Sequence, residues 1–247
     1  MKIQMEIESN KVEKVAAQSD WQVIETYFNV LNHIISSIAA VYMSFLCYST
    51  GYKPISYHSW LCTIGYQLLM TQAILALYSE NVWSKQHTRQ TQKTIHWVLQ
   101  AVGSSTAILG IIIQYIDRSL NSKPHFSSTH SIIGLIAAIF TLIGMFNGIS
   151  ALWSIKLKNY VRPVYSKLAH NLHGTVAYSL GMTALSYGYD QDYMQAYSRE
   201  DIRMWLQVLL FFSSNLTLIG ASRAALNHYR NAKNYKKTQN ESMEPVK

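Results

Sequence analysis

Charge is scarce in this 247-residue chain: Asp, Glu, Lys and Arg make up 14%, against roughly a quarter in a soluble domain. The little there is falls in clumps. Six stretches, 26–52, 54–79, 94–116, 124–155, 168–189 and 204–222, contain none of the four residue types. A bilayer core takes about 20 apolar residues per helical crossing, and each stretch supplies one. That excludes a soluble enzyme, a secreted disulfide scaffold and a nucleic-acid binder, despite the net charge of +8. Cysteine is nearly absent: Cys47 and Cys62 both fall in apolar stretches, so free thiols are expected and no disulfide framework. Proline is rare, and Pro54, Pro124 and Pro163 stand a few residues ahead of a helix, a common position. The loops are too short for an inserted domain.

The expected fold is therefore all-α, a polytopic membrane protein with six transmembrane helices. All of the 21 basic residues except Lys53, Arg118, Lys123, Arg199 and Arg203 fall on one side if the chain crosses six times. The positive-inside rule then puts both termini in the cytosol. The first apolar stretch is too long for a signal-peptide core and is expected to stay as an anchor. The expected division is a disordered cytosolic N-terminus over 1–20, a six-helix domain over 21–227 and a basic cytosolic tail over 228–247. Disorder is expected in that tail from about Ala232.

Nine histidines carry the functional signal, because ionisable side chains inside spanning helices mark functional sites. His58, His96, His130 and His170 each lie near the start of the second, third, fourth and fifth helix. Helix direction alternates, so His58 and His130 share a level near the outer face and His96 and His170 one near the cytosol. The two levels stand roughly 20–30 Å apart at the rise of an α-helix. Two histidine pairs on four adjacent helices fit bis-imidazole ligation of two b-type haems, one per face, in a four-helix core of helices two to five. Zinc is the rival ligand, but would want three or four ligands at one level. A polytopic carrier or scaffold whose histidines relay protons or bind metal without haem is the alternative function.

These residues resemble the cytochrome b561 family, and within it the short "b561 domain-containing" branch. The likeness rests on Tyr57-His58-Ser59-Trp60 with the Leu68–Leu75 run, on His96-Trp97-Val98-Leu99-Gln100, on His125-Phe126-Ser127-Ser128-Thr129-His130-Ser131 with Gly134, and on Lys167-Leu168-Ala169-His170 with Gly174 and Gly181. It covers about residues 30–225, with Thr94, Thr129 and Ile132 departing from the family pattern. It implies a transmembrane reductase with two haem b groups, taking electrons from cytosolic ascorbate and delivering them to monodehydroascorbate radical or ferric iron opposite. An endomembrane location, endoplasmic reticulum or vesicle rather than plasma membrane, follows from the resemblance alone. The implied partners are ascorbate, the acceptor and the bilayer. A homodimer stays open and no nucleic acid is expected.

Ascorbate is a monoanion at neutral pH, so its site needs cations beside the haem edge. Lys93 and Lys167 each precede a cytosolic-side histidine by three residues, which puts them on roughly the same helix face; snorkelling at helix ends is the competing role. His125, five residues before His130 with Phe126 beside it and Arg118 and Lys123 near, is the candidate at the acceptor site. His173 is assigned either a haem propionate or an interhelical hydrogen bond, and His33 a structural place in the seam between the first two helices. His87 and His228 receive no role.

Overall fold

The structure, a computed structural model, describes residues 2–78 and 80–243. The last four residues of the expected tail, 244–247, lie outside the described residues, as does the His228 side chain. Helix α1 runs over Lys2–Ser49, α2 over Pro54–Cys62, a π-helical segment over Thr63–Met70 and α3 over Thr71–Leu75. Then come α4 (Arg89–Leu120), α5 (Thr129–Leu152), α6 (Pro163–Gly188), the short α7 (Asp192–Tyr197) and α8 (Glu200–Met243). Among the described residues all regular structure is helical.

Among the described residues four helices are long and apolar enough to cross a membrane: Asp20–Ser49 within α1, Arg89–Leu120, Thr129–Leu152 and Glu200–Arg223 within α8. The other two expected crossings are helical but differ in character. The second is contiguous over 54–75 yet interrupted by the π segment. The fifth, α6, is 26 residues long but carries Ser166, His170, Asn171, His173, Thr175, Ser179 and Thr183 along its length, which lowers its apolar character.

Local sequence explains the boundaries. Pro54 and Pro163 occupy the first turns of α2 and α6, where a missing N–H costs nothing. The Thr88 side chain caps α4 by accepting from the Thr91 N–H. Ser128 and Ser131 form a reciprocal capping box at the start of α5. Over the segment 1–20, α1 is continuous from Lys2. That segment holds no proline or glycine and is rich in Glu, Lys, Gln and Ala, all strong helix formers, so the span's helix propagates backwards. Likewise α8 continues through the expected tail to Met243.

Packing is inverted relative to a water-soluble protein. Large apolar side chains such as Val41 and Phe146 stand 69% and 72% exposed, which in water would be an aggregation surface and in lipid is solvated. The interior is lined by small residues, Ala73, Ala76, Ala107, Ala137 and Ala177, that let backbones approach. A Cβ added at Gly65 would lie 2.7 Å from the Gly103 carbonyl oxygen and 2.8 Å from Ala107 Cβ, so α4 and the π segment touch backbone to backbone. The strongest pairings are α5 with α6 and α4 with α2 and the π segment, whereas α4 and α5 meet only lightly. The result is two antiparallel hairpins facing each other across a seam, with α8 against α6 and α1 against the π segment and α8. An ion pair of 2.6 Å between Arg223 and Glu25 ties α8 to α1.

Candidate functional site

The four histidines meet in two pairs across this seam. His58 on α2 faces His130 on α5 with ring centroids 5.9 Å apart and planes at 79°. His96 on α4 faces His170 on α6 at 6.1 Å and 83°. The pairing is the one expected from helix alternation, and each pair joins one hairpin to the other.

Backbone carbonyls hold the rings. His58 Nδ1 donates to Gly110 O at 3.0 Å, His96 Nδ1 to Ala73 O at 2.8 Å, His130 Nδ1 to Ala184 O at 2.8 Å and His170 Nδ1 to Gly144 O at 3.3 Å. A carbonyl only accepts, so Nδ1 bears the proton and Nε2 the lone pair in all four. This is how a metal-ligating imidazole is oriented and its tautomer fixed. The bracing is reciprocal within each hairpin and follows one register. Gly110, Ala184 and Gly144 stand 14 residues beyond His96, His170 and His130, and Ala73 stands 15 beyond His58. The extra residue falls in the helix that contains the π segment. Fourteen residues of helix rise about 21 Å, which sets the separation of the two levels.

A metal ion held between the rings would account for their spacing. A metal–imidazole bond is about 2.0 Å, and adding about 1.1 Å from nitrogen to ring centre places two imidazoles on opposite sides of one ion about 6.2 Å apart. Both pairs sit at this distance. Each level holds two histidines, and among the described residues no cluster of three or more His, Cys, Asp and Glu is placed to hold a metal. Two-point ligation inside a planar macrocycle therefore fits better than a tetrahedral zinc site. Glycines provide room for the rings: a Cβ at Gly188 would come 3.2 Å from His130 Cε1, and one at Gly148 would come 3.2 Å from His170 Cε1. The residues present fit a haem at each level.

The other candidates are placed less decisively. Lys93 and Lys167 are exposed, each the fifth residue of its helix, α4 and α6, and carry no ion pair among the described residues. Arg89 is committed elsewhere, bonding Leu77 O at 2.8 Å and Gln92 Oε1 at 2.9 Å. His125 stacks on Tyr115 at 4.3 Å and 29°, with its Nε2 3.1 Å from Ser119 Oγ. The Ser119 proton goes to Tyr115 O, so Nε2 donates and the lone pair of His125 lies on Nδ1. Arg118 is not available for an acceptor, because its guanidinium grips Pro124 O at 2.8 and 2.6 Å and so holds the His125 loop. His173 bonds Ala169 O of its own helix at 2.8 Å and lies against Phe140, a local contact rather than the interhelical hydrogen bond considered from sequence. His33 Nε2 meets Asn81 Oδ1 at 2.9 Å and Asn29 Oδ1 at 3.1 Å, tying α1 to the loop after α3. Cys47 and Cys62 are free and buried.

Sequence reasoning missed the tyrosines between the levels, Tyr66 and Tyr178, which cross the seam to Thr141 and Thr71. The signal was present: each stands eight residues beyond a paired histidine, His58 and His170.

Comparison with known proteins agrees with this geometry. The profile of a family described as eukaryotic cytochrome b561 matches residues 57–195, a range that contains all four paired histidines. Proteins named transmembrane reductase CYB561D2 from Mus musculus, Bos taurus and Homo sapiens are each 25% identical over 169 residues, covering 68% of this chain and 75% of theirs. With more than half of its length matched, the chain belongs to the eukaryotic cytochrome b561 family of membrane-bound, haem-binding oxidoreductases.

Proposed function

We propose that this chain is a two-haem transmembrane reductase that takes electrons from cytosolic ascorbate and passes them to monodehydroascorbate radical or ferric iron on the opposite side. The observation that carries the reading is the pair of histidine couples at 5.9 and 6.1 Å with all four Nδ1 atoms bound to carbonyls. On this reading His58 and His130 hold the outer haem b, and His96 and His170 the cytosolic one. Each haem, when bound, supplies an iron that carries one electron. The chain contributes the rest. Nδ1 hydrogen bonds keep the rings aimed and raise their basicity as ligands, and the lipid-facing apolar helices exclude water. Lys93 and Lys167 attract the ascorbate monoanion at the cytosolic end. His125, with its Nδ1 lone pair, meets the acceptor at the other end.

The topology belongs to the same reading. The chain crosses six times, counting the π-containing helix 54–75 and α6, with both termini cytosolic, in an endomembrane. The carrier alternative keeps the same hydrogen bonds, because an imidazole held at Nδ1 still exchanges a proton at Nε2. Colour decides between them. The purified protein is expected to show a Soret band that sharpens and shifts when ascorbate is added; a colourless protein would overturn the reading in favour of a carrier.

A further inference from the structure

Between the two histidine levels the seam is crossed twice by tyrosine, in opposite directions. Tyr66 leaves the π segment and reaches α5, where its hydroxyl pairs with Thr141 Oγ1 at 2.9 Å. Its ring fills the space that Gly181 of α6 leaves open, and a Cβ at Gly181 would collide with it. Tyr178 leaves α6 and pairs with Thr71 Oγ1 of α3 at 2.8 Å, with Thr217 of α8 also in contact. The two are 3% and 0% exposed. Eight residues of helix rise about 12 Å, so Tyr66 lies about 12 Å below the outer level and Tyr178 about 12 Å above the inner one. With about 21 Å between the levels, both stand near the middle.

The two crossings share an atom chain. Thr71 Oγ1 meets the Tyr178 hydroxyl and also approaches Tyr66 O at 3.4 Å, so one threonine bridges both tyrosines. Hydroxyls committed in this way offer little to a passing water, and the rings take up the cross-section. Buried polar atoms without a partner occur both near the histidines, at Gln100 Oε1 one turn beyond His96, and beside Tyr66, at Gln67 Nε2. The obstacle to water entering from the cytosolic end is therefore the buried rings of Tyr66 and Tyr178 rather than any lack of polar atoms in the layer.

We propose that Tyr66 and Tyr178 form a septum that seals the seam against water and protons between the two levels. The chambers on either side are those of the two-haem reading, on which that part of the inference rests; the seal is a property of the folded chain. It lets electrons cross while protons stay on their own side, because a file of water through the bundle would conduct protons and dissipate the membrane potential. Aromatic area does the sealing, and the hydroxyls fix the rings in place.

The test is proton leak across phosphatidylcholine vesicles holding the purified protein, driven by a potassium diffusion potential and read by an internal pH dye. The parent and Tyr66→Phe are expected to be tight, because the phenyl ring remains. Tyr66→Ala and Tyr178→Ala are expected to leak several-fold faster, with circular dichroism showing the helices intact. Should Tyr66→Ala fail to fold, Gly181→Ala pushes the same ring from its socket and is expected to leak. Tightness in the folded alanine variants equal to the parent's, or a Tyr66→Phe leak equal to that of Tyr66→Ala, would overturn the septum. Haem absorbance is read on the same samples, so a colourless parent would sink the two-haem reading while the leak comparison still decides the seal.

Discussion

Two glycines decide how individual histidines sit. A methyl group at Gly188 would crowd His130 Cε1 at 3.2 Å, and one at Gly148 would crowd His170 in the same way. A contact that tight must relax by a few tenths of an ångström, enough to rotate a ring without removing it. Gly188→Ala should therefore keep both haems while changing the electron paramagnetic resonance signal and midpoint potential of the outer one only, and Gly148→Ala those of the inner one only. A shift of the same haem by both variants would contradict the assignment of levels. On the proposed function, Lys93 and Lys167 act at the cytosolic end through charge alone. One cation near an exposed anion is worth about 1 kcal/mol, so the Lys93→Ala, Lys167→Ala double variant should need several-fold more ascorbate for half-reduction, an effect that fades with added salt. An unchanged ascorbate dependence would leave both lysines as helix anchors.

Among the helices, the π segment is the unusual element. The register from histidine to partner carbonyl is 14 residues in α4, α5 and α6 and 15 through Thr63–Met70, so the wide turn absorbs one residue over the same rise. Stretches of π-helix are rare and concentrate at functional positions. Here the segment presents Tyr66 to the seam and lays Gly65 on Gly103. Deleting Leu68 should collapse it to an α-helix with the 14-residue register of the others and keep the His96–Ala73 hydrogen bond, hence the inner haem. Inserting an alanine at that point should displace Ala73 and lower haem content at the inner level. Equal haem content in both variants would show that the register is not what holds His96. The sequence made the helices legible because lipid imposes long charge-free runs, and it made the histidine pairing legible because helix direction alternates. It concealed the π segment, since Thr63–Met70 has no proline and its one glycine, Gly65, reads as an ordinary packing residue. It also concealed the carbonyl partners, because Ala73, Gly110, Gly144 and Ala184 contribute backbone atoms that no side-chain pattern marks. Arg118 and His173 misled for a related reason: their charge and ring suggested ligand contacts, while short-range backbone carbonyls had the stronger claim.

Taken as a molecule, the chain is two helical hairpins, each bracing its own histidines and each supplying one histidine to either level, with α1 and α8 outside them. The hairpins are held apart at both levels by facing imidazoles and joined in the middle by tyrosine–threonine pairs. On the two-haem reading this arrangement makes the two sites separable. Haem stoichiometry and optical spectra of the four single variants His58→Ala, His130→Ala, His96→Ala and His170→Ala decide whether that is so. Each is predicted to retain about half of the parent's haem, with His58→Ala and His130→Ala lacking the same spectral component and His96→Ala and His170→Ala lacking the other. A grouping that pairs His58 with His96, or a folded variant of any one histidine that loses all of its haem, would contradict two separate sites across the seam.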